Sequence, residues 1–146
     1  MDIRTIDEDI SVAPQISVQD VEEIARLGFR TLVANRPDQE DPGQPAMTDI
    51  ESAARAHGLQ WIYLPVESGN ITESDVDHFA PMFEEAQKPV LAFCRSGTRC
   101  TVLWALSSSR KEPVMPVLMK AQRAGYDLNG MKPRLEQQAR QHARKD

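Results

Sequence analysis

The chain runs to 146 residues with 17 Lys+Arg against 22 Asp+Glu, a net charge of −5, and two cysteines. That length buries most of one core without disulfides or metals, so a single domain over residues 1–146 is expected, and the acidic balance, with no basic stripe interleaved with aromatics, argues against a nucleic-acid partner. The start, Met1-Asp2-Ile3-Arg4-Thr5, lacks an apolar signal core and no stretch nears the roughly 18 apolar residues of a membrane span, which leads to the expectation of a soluble, cytoplasmic protein without a membrane partner.

In chain order, Ile3 to Gln15 predicts one or two edge strands. Ser17 followed by Asp20 opens a helix whose Val21, Ile24 and Ala25 share a face, with Gly28 as its left-handed stop. Phe29 to Asn35 reads as a strand, and Arg36-Pro37-Asp38 with Pro42-Gly43-Gln44-Pro45 makes a long loop of the functional or mobile kind. Thr48 and Glu51 predict a capping box for a helix carrying Ile50, Ala53 and Ala54 and ended by Gly58, after which Gln60 to Leu64 forms a strand. Thr72 and Asp75 start a third helix with Val76, Phe79, Ala80 and Phe83 inward and Pro81 bending it. The strand Pro89 to Phe93 leads into a buried helix from Arg99 to Ser108, then a helix from Val114 to Ala124 with Val117, Leu118 and Ala121 inward. Asn129-Gly130 makes a turn, and Pro133 to Asp146 predicts a surface helix fraying at its end, with only Leu135, Ala139 and Ala143 as apolar residues. Strands alternating with helices argue for an α/β fold with a parallel-type central sheet flanked by helices.

The segment Cys94-Arg95-Ser96-Gly97-Thr98-Arg99-Cys100 lies between an apolar strand and an apolar helix. A thiol in that place faces backbone N–H groups and the positive end of a helix, with the Arg99 guanidinium nearby; such settings lower a cysteine from about 8.5 to roughly 3.5–7.5. Cys94 is therefore the expected nucleophile, against the blander alternative of a small buried hydrophobe at a strand end. Arg99 is a cation at the positive end of a helix, a placement that dipole logic disfavours unless function requires it. Ser96, Gly97 and Thr98 supply N–H groups for an anion, Arg95 and Arg36 are candidates for its charged end, and Gly97 allows positive φ or close approach. In parallel sheets ligands gather beyond the carboxyl ends of strands, where Asn35 with Arg36, Glu67, and Cys94 with Arg99 are all expected. Cys100 is most simply a packed small residue; the sharper reading makes it a resolving thiol for Cys94. His57, His78 and His142 lack metal-ligand spacing, so no metal or cofactor is expected, and Met115, Met119 and Met131 are expected to fill core gaps.

Cys94-x-x-Gly97-x-Arg99, with Arg95 after the cysteine, resembles the active loop of rhodanese-type sulfurtransferases. It also resembles the Cys-x5-Arg signature of cysteine phosphatases, except that Arg99 arrives one residue early, Cys100 stands at the arginine position, and Phe93 stands where histidine is usual. Leu64-Pro65-Val66-Glu67 resembles the general-acid segment of dual-specificity phosphatases, with glutamate in place of aspartate. Together with Val12-Ala13-Pro14-Gln15-Ile16, Asn35-Arg36-Pro37-Asp38-Gln39-Glu40 and Ala124-Gly125-Tyr126-Asp127-Leu128, these segments are similar to the beta-lactamase-hydrolase-like phosphatase-like domain, also described as a sulfur transferase family. The resemblance implies a dual-specificity-phosphatase-like architecture and a possible fusion or partnership with a metallo-beta-lactamase-like persulfide dioxygenase, whose His-x-His-x-Asp-His motif this chain lacks.

Two chemistries follow. In the main reading Cys94 carries a persulfide taken from thiosulfate or a low-molecular-weight persulfide and passes it to a second thiol or cyanide, with no general acid needed. In the alternative, Cys94 forms a phosphocysteine from a protein or small phosphoester and Glu67 protonates the leaving group. A module that binds a small anion without turnover is the third reading.

Overall fold

Each strand of the sheet that leads into a helix returns parallel to its neighbours, and that repetition builds one layered α/β unit. The computed structural model describes residues 1–143. Strands β1 (Arg4–Thr5), β2 (Ile10–Ala13), β3 (Thr31–Ala34), β4 (Gln60–Tyr63) and β5 (Val90–Phe93) form one sheet in the order β1-β2-β5-β3-β4. β2, β5, β3 and β4 are parallel, and β1 alone runs antiparallel, against β2. Of the one or two edge strands expected over Ile3 to Gln15, β1 is one; β2 lies between β1 and β5 and is buried along its whole length, so among the described residues the edges are β1 and β4. The three loops leaving β3, β4 and β5 therefore open on the same side of the sheet.

The alternation of side chains along β5 divides the core in two. Leu91 and Phe93 pack with Leu32, Ala34, Val21, Ile24 and Ile50, beneath α1 (Asp20–Arg26) and α2 (Met47–Ala56). Val90, Ala92 and Cys94 turn the other way, toward α3 (Glu73–Glu85), α4 (Thr98–Ser108) and α5 (Val114–Arg123). Helix α4 runs through the interior on that side, with every residue from Arg99 to Ser108 buried.

Local chemistry explains where the elements begin. Ser17 and Asp20 exchange reciprocal bonds of 2.9 and 3.2 Å ahead of α1, and Thr72 and Asp75 form a full capping box on α3, which contains Pro81. The box expected from Thr48 and Glu51 is absent: the cap is Ala46, two residues before Thr48, and the Met47 N–H donates to the Asp38 carboxylate at 3.3 Å, so the preceding loop caps the helix instead. Residues Asn129–Met131 form a 3₁₀ turn leading into α6 (Lys132–Ala143). α6 is more than a surface helix, since Leu135 and Gln138 are fully buried and Gln138 bridges Arg110 and Glu73. The fraying expected at residues 144–146 lies outside the described residues. Met115 and Met119 do not fill the core; both are half exposed on α5. No helix among the described residues is long and apolar enough to cross a membrane.

Trp104 is the largest fully buried side chain and sits in the middle of α4. Trp104→Ala is expected to cost about 3–5 kcal/mol of unfolding free energy, read as a lowered urea midpoint at unchanged slope.

Candidate active site

Four residues, Cys94 to Gly97, carry the chain from β5 into α4. Gly97 adopts φ 88°, and its N–H donates to the Cys94 sulfur at 3.1 Å. The loop carbonyls are held away from the sulfur by other donors: the Gln15 N–H reaches Arg95 O at 3.3 Å, the Tyr126 hydroxyl reaches Ser96 O at 3.0 Å, and the Thr101 hydroxyl reaches Gly97 O at 2.8 Å. With the carbonyls engaged elsewhere, the N–H groups are free to face the sulfur. A Cβ on Gly97 would collide with the Tyr126 hydroxyl, so position 97 needs glycine both for its φ and for its space.

These donors ionise the thiol. The Cys100 thiol hydrogen-bonds to Cys94, and the N–H groups of Cys100, Ser96 and Gly97 add to it, lowering Cys94 to about 6 against the opposing effect of burial. Burial and the adjacent Cys94 push Cys100 well above the ordinary cysteine range, so it stays a neutral donor. The Cys100 thiol is the largest of the influences that lower Cys94, Arg99 attracts the thiolate through its charge, and Cys94 has no exposed surface.

Arg99 points at Glu40, a residue to which the sequence reading gave no role. Its Nη1 and Nη2 meet the two carboxylate oxygens at 2.8 Å each, and Nη1 also donates to Val66 O at 3.0 Å. Glu40 accepts from Arg36 Nε as well, at 2.9 Å, and the pair of guanidiniums, Arg99 first, holds its carboxyl at about 2. The loop aims Glu40 inward through Gln39, which takes φ 59°. Arg36 is buried, donates from each of its three nitrogens to Glu40, Gln15 and Asp41, and is not among the residues lining the cavity beside the loop, so it braces the site. Glu40 takes the end-on face of Arg99, which leaves Nε and the second hydrogen of Nη2 for an anion.

Beside the loop lies a cavity of about 300 Å³. Arg95, Ser96, Thr98 and Arg99 line it on the loop side, and the turn after β4 contributes Ser68 and Gly69. Val102 of α4, Ile71, Met131 and Arg134 complete it. Arg95 is exposed, with only a distant carboxylate, Asp41, at 3.7 Å. Glu67 is exposed one residue before the lining segment, in an isolated bridge with Asn70, and is not among the lining residues. The structure thus brings Arg95, Ser96, Thr98 and Arg99 together around the cavity, sets Cys94 and Gly97 behind that wall, and leaves Glu67 at its margin.

A family model described as Beta-lactamase hydrolase-like protein, phosphatase-like domain, matches residues 2–111. A Beta-lactamase hydrolase-like protein of Xylella fastidiosa is 34% identical over 148 residues, which cover 99% of this chain and 34% of that protein. A crystal structure of a candidate phosphatase from Neisseria meningitidis superposes with a TM-score of 0.83 at 36% identity, covering 94% of this chain and 99% of the other. TpbA of P. aeruginosa, solved in complex with pTyr, shares the fold, with a TM-score of 0.66 at 15% identity over 97% of this chain and 90% of its own. The chain spans between 24% and 34% of the length of the curated relatives it matches. The α/β architecture is that of the cysteine-phosphatase structures.

The Cys94 thiolate should form as pH rises through an inflection at about 6, followed by the ultraviolet absorbance of the thiolate, which needs no reagent to reach the buried sulfur. Cys100→Ala removes the principal donor and moves the inflection upward, whereas Cys100→Ser keeps a donor and largely preserves it. Glu40 is lowered from its ordinary 4.5 to about 2, so its contribution to stability is complete above about 4.5 and is lost as pH falls toward 2. Glu40→Gln should lower the melting temperature at neutral pH and flatten the dependence in that acid window.

Proposed function

The chain belongs to the Beta-lactamase hydrolase-like protein, phosphatase-like domain family, and we propose that it acts as a cysteine-dependent phosphatase on small or protein-borne phosphate monoesters. The observation that carries this reading is a thiolate held by loop N–H groups at the carboxyl end of a central parallel strand, beside an arginine-lined cavity that opens next to it. In this reading the ester phosphate binds at the cavity face of the loop, and the sulfur, which has no exposed surface in this structure, reaches it through a movement of the loop. The Cys94 thiolate then attacks phosphorus while the ester P–O bond breaks, and Arg99 Nε with the loop N–H groups takes the charge on the phosphoryl oxygens. The departing oxygen accepts a proton from Glu67 or leaves as a phenolate. Water then attacks the phosphocysteine, releasing inorganic phosphate and restoring the thiolate.

Sulfur transfer remains the second reading because of two features. Only four residues separate Cys94 from Arg99, and no carboxylate lines the cavity. A persulfide on Cys94, formed from thiosulfate with loss of sulfite, needs no proton donor.

Phosphate release from an aryl phosphate should fall by at least about 10³-fold in Cys94→Ala. Glu67→Gln should slow phenyl phosphate by about 10²-fold or more and leave 4-nitrophenyl phosphate nearly unaffected, because nitrophenolate leaves without a proton. If thiosulfate instead adds one sulfur to the intact mass, Cys94→Ala abolishes the gain, and no aryl phosphate is hydrolysed, the transfer reading replaces this one.

A further inference from the structure

The family match ends at residue 111, yet the cavity beside the loop does not. Met131 and Arg134, from the 3₁₀ turn and the first turn of α6, supply part of its wall. Arg134 differs from the other arginines near the site. Arg36 and Arg99 are both paired with Glu40, whereas Arg134 is half-buried and takes part in none of the ion pairs found among the described residues. Its Nη2 donates to Ile71 O at 2.6 Å, which anchors the side chain against the turn after β4 and leaves the rest of the fork unspent. A half-buried guanidinium without a carboxylate, held by a backbone carbonyl at the wall of a cavity, is preorganised for an anion brought from outside. Between it and the loop the wall is apolar, made by Ile71, Val102 and Met131.

We propose that Arg134 forms a second anion subsite, so that the preferred substrate carries a carboxylate or other acidic group on an apolar body that lies against Ile71, Val102 and Met131. This rests on the phosphatase reading for the first subsite, where the ester phosphate meets the loop. The C-terminal helix thereby selects among phosphate esters, and the loop supplies the reaction.

The test uses the full chain and two matched pairs of probes: 4-carboxyphenyl phosphate against 4-carbamoylphenyl phosphate for turnover, and the corresponding benzylphosphonates for binding by calorimetry. The acidic member should be favoured in both assays, and the ratio of kcat/KM and the ratio of affinities should each fall by roughly tenfold in Arg134→Gln. Arg134→Lys should restore part of the preference, which a merely structural role would not, and thermal melts establish that both variants fold. Equal ratios in the wild type and Arg134→Gln overturn the subsite. If neither ester is hydrolysed while the phosphonate preference persists and depends on Arg134, the phosphatase reading fails and the subsite stands.

Discussion

An ionised sulfur without solvent contact depends in this fold on the donors aimed at it, which outweigh burial. Four backbone and side-chain donors converge on Cys94, led by the Cys100 thiol, and their orientation depends on what holds the loop carbonyls outward. Tyr126 is central to that arrangement. Its hydroxyl takes the Ser96 carbonyl, and it stands where a side chain at position 97 would go, so a residue near the C-terminus sets the conformation of a loop thirty positions earlier. Burial raises the Tyr126 hydroxyl above its ordinary range, which keeps it a donor. The same tyrosine ring lies under Arg4, which donates to Ala124 O, so the edge strand and the segment after α5 are tied to the loop together.

The second constraint is charge balance. Arg36 and Arg99 are both buried, and two unpaired guanidiniums there would be prohibitively desolvated. Glu40 resolves this by accepting from both, and Asp41 completes the pairing of Arg36. The network explains why a cation can stand in the first turn of α4, where the helix dipole opposes it: the carboxylate opposite outweighs the dipole. It also holds one face of Arg99 in place before any ligand arrives, so an incoming anion meets an oriented donor edge and need not order a flexible side chain.

Much of this was legible in the sequence because it is local. The strand-loop-helix around Cys94, the Thr72 and Asp75 cap, the inward faces of α3 and α5, and the glycine at position 97 all follow from periodicity and turn chemistry over a few residues. What escaped was set by contacts distant in sequence. Arg36 looked like a substrate cation because its partners Gln15 and Glu40 become visible only when the loop folds back. Glu40 lay inside a recognised segment, but nothing in spacing alone reveals which carboxylate will meet Arg99, fifty-nine positions later. The placement of β2 between β1 and β5 is likewise a matter of topology, invisible to local pattern, and it makes one of the strands expected at the edge an internal one.

The short loop and the position of Glu67 bear on one another. With four residues between nucleophile and arginine, the loop curls tightly enough for Gly97 to reach the sulfur, and the cavity forms outside that curl, bounded by the turn after β4. The backbone of that turn reaches the cavity at Ser68 and Gly69, while Glu67 stays exposed at its margin. If the chain cleaves phosphate esters as proposed, a leaving group that needs little protonation suits such a site better than an alkoxide does, since an acid held at the margin donates less effectively than one fixed at hydrogen-bond distance. Under the phosphatase proposal, apolar walls at Ile71, Val102 and Met131 favour flat aromatic bodies, and the marginal placement of Glu67 favours the same class of ester.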